Sequence, residues 1–258
     1  MANRFMILGG DKRCYYLKNI LQNDDNMVYN FIENPNFYEV VKHLSKIDYL
    51  VLPIPSSRDG VYITNTNIRF CDIIPLLNNV EIFLGCKEKI DYEFGNEKFY
   101  DIADNETFKQ KNAILTVEGV LALSIKNTLR SIHGSKILIV GYGRIGSYLA
   151  KQLSSLGAKI FIVEKDVEKV KKCDNFVTDI NLLEKNIDFD MIYNTVDENI
   201  LNDYTSTTIF DISNTLSGYN IISTKSLPAI YSAYSSALIV AESIYSFINR
   251  GEDYGIKK

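Results

Sequence analysis

Short runs of apolar residues alternate with stretches of helical periodicity along the whole chain. The runs are rich in branched and aromatic residues and end at glycine, proline or polar residues, as buried strands do. In the first half the pattern predicts helices over 12–22 and 38–46, and strands over 5–8, 27–31, 48–53, 80–84 and 99–102. Strands that alternate with helices in this way are typical of an open parallel sheet covered by helices.

A longer helical pattern follows and separates the two halves of the chain. Apolar residues recur at helical spacing over 113–132, and His133–Gly134 predicts its end, because glycine readily takes the left-handed conformation. Thr116 and Glu118 would then lie near the start, as an N-terminal cap and a favourable first-turn charge. We therefore predict a long interdomain helix over 113–132.

The second half repeats the alternation of strands and helices. The pattern predicts helices over 148–156 and 235–250 and strands over 136–140, 159–163, 190–193, 208–212 and 221–222. The apolar C-terminal helix is expected at the domain junction, with packing back onto the first domain as one option. The predicted fold class is α/β with two doubly wound domains: a flavodoxin-like domain at 1–112, taken as the substrate domain, and a Rossmann NAD(P)-binding domain at 113–258.

Composition narrows the function classes. Hydrophobic residues make up 46% and charged residues 23% of the 258-residue chain, as in a globular protein with real cores. A net charge of -4 without a long basic run argues against nucleic-acid binding. We find no run of about 20 apolar residues for a membrane span and no signal peptide, so a cytoplasmic protein is expected. Four scattered cysteines lack metal-ligand spacing, so we predict reduced, mostly buried thiols and no metal site.

The strongest chemical signal is a glycine-rich turn between a predicted strand and a predicted helix. It contains Gly141, Tyr142, Gly143, Arg144, Ile145 and Gly146, the GxGxxG spacing of a dinucleotide-binding turn. The first glycine permits a tight turn, the second lets a pyrophosphate approach the backbone, and the third lets helix and strand pack closely. Arg144 could add a bidentate phosphate contact. The alternative is a Rossmann-like domain that has lost its ligand.

Polar residues at the ends of the following strands are further cofactor candidates. Glu164, about 20 residues past the turn, would accept hydrogen bonds from the adenosine ribose and repel a 2′-phosphate, which favours NAD over NADP. The neighbouring Lys165 weakens this preference, because a cation there could tolerate the phosphate. Asn194 and Thr195 end the next strand and would face the ligand crevice, with a strand-end cap as the alternative. Ser213 ends the following strand in the same way and is a candidate substrate contact.

Several stretches resemble the family of dipicolinate synthase A subunits, over nearly the whole chain. The similar motifs are the opening Gly9–Arg13, the loop Leu52–Pro55, the helix start Asn112–Gly119, the turn Val140–Gly146 with Leu149–Ala150, and the strand ends Asn194–Thr195 and Asp211–Ile212.

The resemblance implies an NAD- or NADP-dependent oxidoreductase that oxidises a dihydrodipicolinate-type dicarboxylate to dipicolinate, which accumulates in endospores. The partner it implies is a smaller, flavoprotein-like B subunit. It also implies a two-domain layout similar to that of D-2-hydroxyacid dehydrogenases, with the active site in the interdomain cleft, and work in the mother cell of a sporulating bacterium. We further expect a homo-oligomer.

The chain departs from the family pattern at two places. Thr215–Gly218 replaces a Pro-Gly-Gly turn, and Tyr234 stands where the family has a lysine near the last helix. These changes leave open a non-catalytic NAD(H)-binding protein with a regulatory or scaffold role, or a different small-carboxylic-acid dehydrogenase.

Substrate and catalytic candidates follow from the need to hold two carboxylates and remove a hydride and a proton. Arg13 could bind a carboxylate, with a solvated surface arginine as the alternative. Glu118 is the candidate base and Thr116 its neighbour, against the capping roles above. The remaining candidate substrate contacts are Asp11, for which helix capping is favoured, Ser56 and Ser57, whose alternative is a plain polar loop, and Asn112.

Overall fold

The structure is a computed structural model that describes residues 2–24, 26–183, 187–201 and 207–253. The chain divides into two compact units. The first combines Met1–Asn112 with Ser232–Lys258, and the second is Ala113–Tyr231. The predicted α/β class with two doubly wound parallel sheets is confirmed, because each unit contains one such sheet.

The first unit contains a five-stranded parallel sheet in the order β2-β1-β3-β4-β5. Its strands are β1 (Arg4–Leu8), β2 (Met27–Phe31), β3 (Tyr49–Val51), β4 (Glu81–Leu84) and β5 (Phe99–Asp101). Its first three helices are α1 (Lys12–Asn23), α2 (Phe37–Leu44) and α3 (Phe70–Ile73). This is the flavodoxin-like order, in which the direction of strand addition reverses between β1 and β3.

Both faces of this sheet are buried, which explains why its strands are apolar without alternation. Met6 and Leu8 of β1 face a core that includes Val40 of α2, while Phe5 and Ile7 face a second core. That second core is closed by α1 and by a C-terminal helix whose buried residues, Ala237, Val240, Ala241 and Ile244, recur at helical spacing. The C-terminal helix therefore belongs to the first unit.

The second unit contains a six-stranded parallel sheet in the order β11-β10-β9-β6-β7-β8. Its strands are β6 (Lys136–Val140), β7 (Lys159–Val163), β8 (Phe176–Val177), β9 (Met191–Asn194), β10 (Ile209–Asp211) and β11 (Ile221–Ser223). The remaining helices of the described residues are α4 (Glu106–Asn127), α5 (Arg144–Ser155), α6 (Val167–Val170), α7 (Leu227–Tyr231) and α8 (Ala233–Asp253), the C-terminal helix above. The sheet has the Rossmann strand order, and its direction reverses between β6 and β9.

The interdomain helix differs from its predicted bounds of 113–132, because α4 begins at Glu106 and ends at Asn127. Asn105 starts it: its side-chain oxygen accepts the Phe108 N–H at 3.0 Å, as an N-cap residue does. At the other end, the Thr128 hydroxyl donates to the Ser124 carbonyl at 3.0 Å and satisfies a terminal acceptor. Leu129, which the apolar pattern places in the helix, is fully exposed beyond this end.

The prediction of mostly buried thiols is wrong for three of the four cysteines. Cys14 is buried in the first unit, but Cys71 is exposed, and Cys86 and Cys173 are half-buried. All four are free thiols. Burial raises the pKa of the Cys14 thiol to about 11, so this side chain behaves as a small apolar core residue.

Candidate functional site

Two of the three glycines in the turn between β6 and α5 are required by the fold itself. Gly141 has a φ of +92°, and a Cβ there would lie 2.4 Å from the Thr195 hydroxyl oxygen. Gly146 lies in the first part of α5, where a Cβ would lie 2.1 Å from the backbone oxygen of Gly141. These two positions therefore accept only glycine, whether or not a ligand binds.

Gly143 is different, because neither its backbone nor its packing requires glycine. Its φ of -74° suits any residue, and beyond Gly143 and its two chain neighbours no atom of the described residues lies within 4 Å of the position of a Cβ. The space beside Gly143 is open at the N-terminus of α5, which no side chain caps within the described part of the chain. Uncapped N–H groups and the helix dipole at such an end attract phosphate.

The other residues of the glycine turn contribute backbone groups to the site or pack against the second unit. Arg144 is the exposed first residue of α5, and Ile145 packs partly buried against the core of the second unit. The neighbouring Cys173 thiol, together with burial, raises the pKa of the Tyr142 hydroxyl. The Tyr142 side chain is therefore engaged within the second unit, while its backbone lines the turn.

Glu164 lies directly after β7 and already holds the turn in place. One carboxylate oxygen accepts the Tyr142 N–H at 2.7 Å, and the other accepts the Asp166 N–H at 3.0 Å. The ammonium group of Lys169 lies 3.9 Å from the second oxygen. A carboxylate fixed against the turn in this way is placed where the Rossmann fold binds the adenosine ribose.

Lys165 is paired with a residue that sequence reasoning missed. Its ammonium group lies 2.7 and 2.9 Å from the two carboxylate oxygens of Glu198, and this contact and charge raise the pKa of Lys165. Glu198 follows the end of β9 by four residues, on the same sheet edge. That position was a usable signal, but its pairing depends on how two loops approach each other.

Asn194, Thr195 and Ser213 are engaged inside the second unit. The fully buried Asn194 amide donates to Asp211 and Ser213, each at 2.9 Å, and the Ser213 hydroxyl donates to Asp211 at 2.6 Å. The Thr195 hydroxyl donates to the Val140 carbonyl at 2.8 Å. For Asn194 and Thr195, the strand-end cap fits better than a direct cofactor contact. The Ser213 hydroxyl is likewise hydrogen-bonded to its neighbours in the second unit.

In the first unit, the turn after β1 is closed by its own side chains. Asp11 caps α1 by accepting the Arg13 N–H at 3.0 Å, and its carboxylate also pairs with the Arg13 guanidinium at 2.7 Å. That guanidinium donates to the Ile54 carbonyl at 2.6 Å. Burial would raise the pKa of Asp11, but its hydrogen bonds and charge pairing with Arg13 outweigh burial and hold it below the ordinary value. The favoured capping role of Asp11 fits this geometry, and Arg13 is not a solvated surface arginine.

Ser56 and Ser57 fasten the loop that follows β3. Both are fully buried. The Ser56 hydroxyl donates to the Pro53 carbonyl at 2.7 Å and accepts the Gly85 N–H at 2.9 Å. The Ser57 hydroxyl donates to the Tyr62 carbonyl at 2.8 Å. Their predicted substrate contacts do not fit this arrangement, because both hydroxyls are used inside the loop.

The candidates on α4 lie inside the helix. Because α4 begins at Glu106, Thr116 and Glu118 are mid-helix residues, and the capping alternative is wrong for both. Glu118 is exposed, while Thr116 and Asn112 are half-buried. Tyr234, which replaces the family's lysine, lies on the first turn of α8 with its ring edge-to-face against Tyr16 at 5.6 Å.

Comparison with known proteins supports the resemblance given by the motifs. A family model described as the TrkA-N domain matches residues 137–185, which contain β6 except its first residue, the glycine turn and β7. A curated relative, the A subunit of dipicolinate synthase from Bacillus subtilis strain 168, is 34% identical over 96 residues. This alignment spans 35% of the chain and only 32% of the relative.

Solved structures extend the likeness to the whole fold. The structure of the dipicolinate synthase A subunit from Bacillus halodurans has a TM-score of 0.76 at 17% identity, covering 95% of this chain and 97% of the other. The corresponding Bacillus subtilis structure has a TM-score of 0.74 at 18% identity and 98% coverage of both chains. The chain thus resembles the A subunit of dipicolinate synthase in sequence and in fold.

The same two-sheet fold also occurs in solved structures of dehydrogenases. An NAD-dependent formate dehydrogenase from Staphylococcus aureus, solved with NAD, has a TM-score of 0.57 at 12% identity, with 98% of this chain and 97% of the other covered. The fold of this chain is therefore dehydrogenase-like. Among the described residues, we find no helix with the length and apolar character needed to cross a membrane.

Proposed function

We propose that this protein is an NAD-dependent oxidoreductase of the type of the dipicolinate synthase A subunit, which oxidises a dihydrodipicolinate-type dicarboxylate to dipicolinate. The observation that carries the proposal is the open space beside Gly143 at the uncapped start of α5. A glycine that the fold does not need is explained by a phosphate that must approach its backbone. The sequence likeness to dipicolinate synthase supplies the substrate class.

The residues of the second unit would hold the dinucleotide by its phosphates and its adenosine ribose. The first-turn N–H groups of α5 would bind the pyrophosphate, and the exposed Arg144 would add charge. Glu164 would accept hydrogen bonds from the ribose hydroxyls and repel a 2′-phosphate. Because Glu198 neutralises Lys165, we propose that NAD is used in preference to NADP.

The chemistry asks little of a base. The cofactor held at the turn before α5 would supply a hydride acceptor. The substrate ring would lose a hydride and one proton, and the products would be dipicolinate, NADH and H⁺. Because aromatisation favours the reaction, the protein mainly binds and orients the substrate. Glu118 is our proposed proton acceptor on α4, and an exposed carboxylate there can pass the proton to water.

The partners are also proposals. A flavoprotein-like B subunit would work with this chain, and the chain would form a homo-oligomer, most simply tested by its mass in solution. In a sporulating bacterium, the activity would belong to the mother cell.

The test is turnover by the purified protein with freshly generated dihydrodipicolinate and NAD⁺ or NADP⁺, with and without a candidate B subunit. Near-ultraviolet absorbance follows the reduced cofactor, and dipicolinate is measured separately. We expect turnover that is lost in Gly143→Val. Gly95→Val is the matched control, because Gly95 is exposed in the first unit with only the Glu97 side chain nearby, at 3.5 Å. Tight NAD binding without turnover, with either cofactor and with or without the B subunit, would contradict the proposed enzymatic activity. It would favour a non-catalytic nucleotide-binding protein.

A further inference from the structure

The first unit has its own ligand position, set by its strand order. In an open parallel sheet, ligands bind outside the carboxyl ends of the strands where the order reverses. In this sheet the reversal lies between the neighbouring strands β1 and β3. The crevice is therefore bordered by the turn Gly9–Asp11 after β1 and by the loop at 52–58 after β3.

The arginine that the sequence suggests for substrate binding here is already engaged. The Arg13 side chain is only 14% exposed and bonds to both oxygens of Asp11 and to the Ile54 carbonyl. It therefore ties the turn after β1 to the loop after β3. With these three contacts, the Arg13 guanidinium stabilises the two segments that border the crevice.

The loop after β3 is rigidly anchored on both sides of residue 58. On one side, the buried Ser56 and Ser57 hydroxyls bond to backbone groups of the unit. On the other side, Asp59 accepts the Tyr62 N–H at 2.9 Å and the Val61 N–H at 3.0 Å, and these bonds hold the pKa of Asp59 below its ordinary value. The Asp59 carboxylate, next to Arg58, is thus hydrogen-bonded to backbone N–H groups.

Arg58 is what this anchored loop presents to solvent. It is exposed and forms no hydrogen bond or ion pair with any residue that the structure describes. Its positive charge is one of the causes, after Arg13, that lower the pKa of the Asp11 carboxyl in the turn after β1. The carboxylates of Asp11 and Asp59 are bonded to Arg13 and to backbone N–H groups, and neither forms an ion pair with the Arg58 guanidinium.

We propose that Arg58 is the residue of the first unit that binds a carboxylate of the substrate, at the reversal point between β1 and β3. A guanidinium matches a carboxylate with two parallel hydrogen bonds, and an anchored loop holds that fork in place. The identity of the ligand as a dicarboxylate rests on the proposed function. The requirement for a carboxylate rests on Arg58 alone.

The test is calorimetric titration of the NAD-loaded full chain with dipicolinate, pyridine-2-carboxylate and oxalate. In Arg58→Gln we expect the Kd of the bound carboxylate to rise at least about tenfold, with NAD affinity unchanged. Arg58→Lys should recover part of the loss, since it keeps the charge without the fork. Arg4→Gln is the control, because Arg4 is an exposed arginine at the opposite end of β1, paired with Asp48.

Equal carboxylate affinity in wild type and Arg58→Gln would overturn the assignment, and so would the absence of carboxylate binding to the wild type. Failure of the proposed function looks different. Arg58-dependent binding of a carboxylate without dihydrodipicolinate turnover would uphold the Arg58 site and contradict the proposed reaction.

Discussion

The two units use the same strand–turn–helix element in opposite ways. After β1, Asp11 caps α1 with its own carboxylate and is itself paired with Arg13. After β6, the corresponding position before α5 is Gly143, which offers no side chain. The first turn therefore satisfies its helix N-terminus internally, while the second leaves its N–H groups for an external anion. Similar glycine-rich turns thus differ, through a single capping side chain, in whether the N-terminus of the following helix is satisfied internally.

This difference also explains where each unit is expected to bind its anionic ligand. The open turn of the second unit can take a phosphate directly on its backbone. In the first unit, the turn before α1 is already capped by Asp11, and the proposed anion-binding residue is Arg58 on the neighbouring loop. Substitutions in and beside the two turns test the contrast between the open turn before α5 and the closed turn before α1.

Gly143→Val should give the largest change. A side chain would fill the open space beside α5, so we expect NAD affinity to fall at least about 100-fold, which corresponds to roughly 2.7 kcal/mol. Because no described atom beyond the neighbouring residues lies within 4 Å of that position, the free energy of unfolding should fall only by about 0.5–1 kcal/mol, since valine is a poorer helix N-cap than glycine. Fluorescence titration with NADH and urea unfolding measure the two effects. A larger loss of stability would show that Gly143 serves the fold.

Gly146→Ala should instead damage the fold. Its Cβ would meet a backbone oxygen at 2.1 Å, so α5 must move away from the turn. We expect the second unit to lose about 1–3 kcal/mol of stability, as in overpacked cores, and urea unfolding without ligand measures it. An apo protein of unchanged stability would contradict the close packing of α5 on the turn.

Asp11→Ala tests the closed turn. Removing the cap and leaving Arg13 without its carboxylate should cost the first unit about 0.5–2 kcal/mol. Asp11→Asn is the matched control, since asparagine also caps helices and removes only the charge.

The contribution of the Asp11 charge to the free energy of unfolding depends on pH in a defined direction. Since the pKa of Asp11 is lowered in the folded protein, its stabilisation is present above the ordinary value of about 3.9 and is lost as pH falls through the folded pKa. The advantage of wild type over Asp11→Asn in urea unfolding should be full at pH 7 and shrink below about pH 4. An advantage independent of pH would contradict the ionic role.

The limits of sequence reasoning follow from the same residues. The strands and the glycine turn were predictable because apolar runs and GxGxxG spacing are local. The start of α4 was missed because one side chain, Asn105, sets it upstream of the apolar pattern. Ser56, Ser57 and Asn194 were assigned to ligands because a polar strand-end residue looks the same in sequence whether it binds a ligand or its own loop. Their partners are fixed by tertiary contacts.

Glu198→Gln tests the smallest effect, the control of cofactor choice at the open turn. The change would release Lys165, whose ammonium group could then approach a 2′-phosphate. Because the Lys165–Glu198 pair is exposed and such pairs are weak, we expect NADP affinity to rise only about two- to fivefold, with NAD affinity unchanged. Parallel titrations with NADH and NADPH measure the ratio. Adding Lys165→Gln to Glu198→Gln should abolish the gain, because the gain requires the released cation. If the double variant kept it, the preference would come from removing a negative charge near the site, and Glu198 would act by repulsion rather than by holding Lys165.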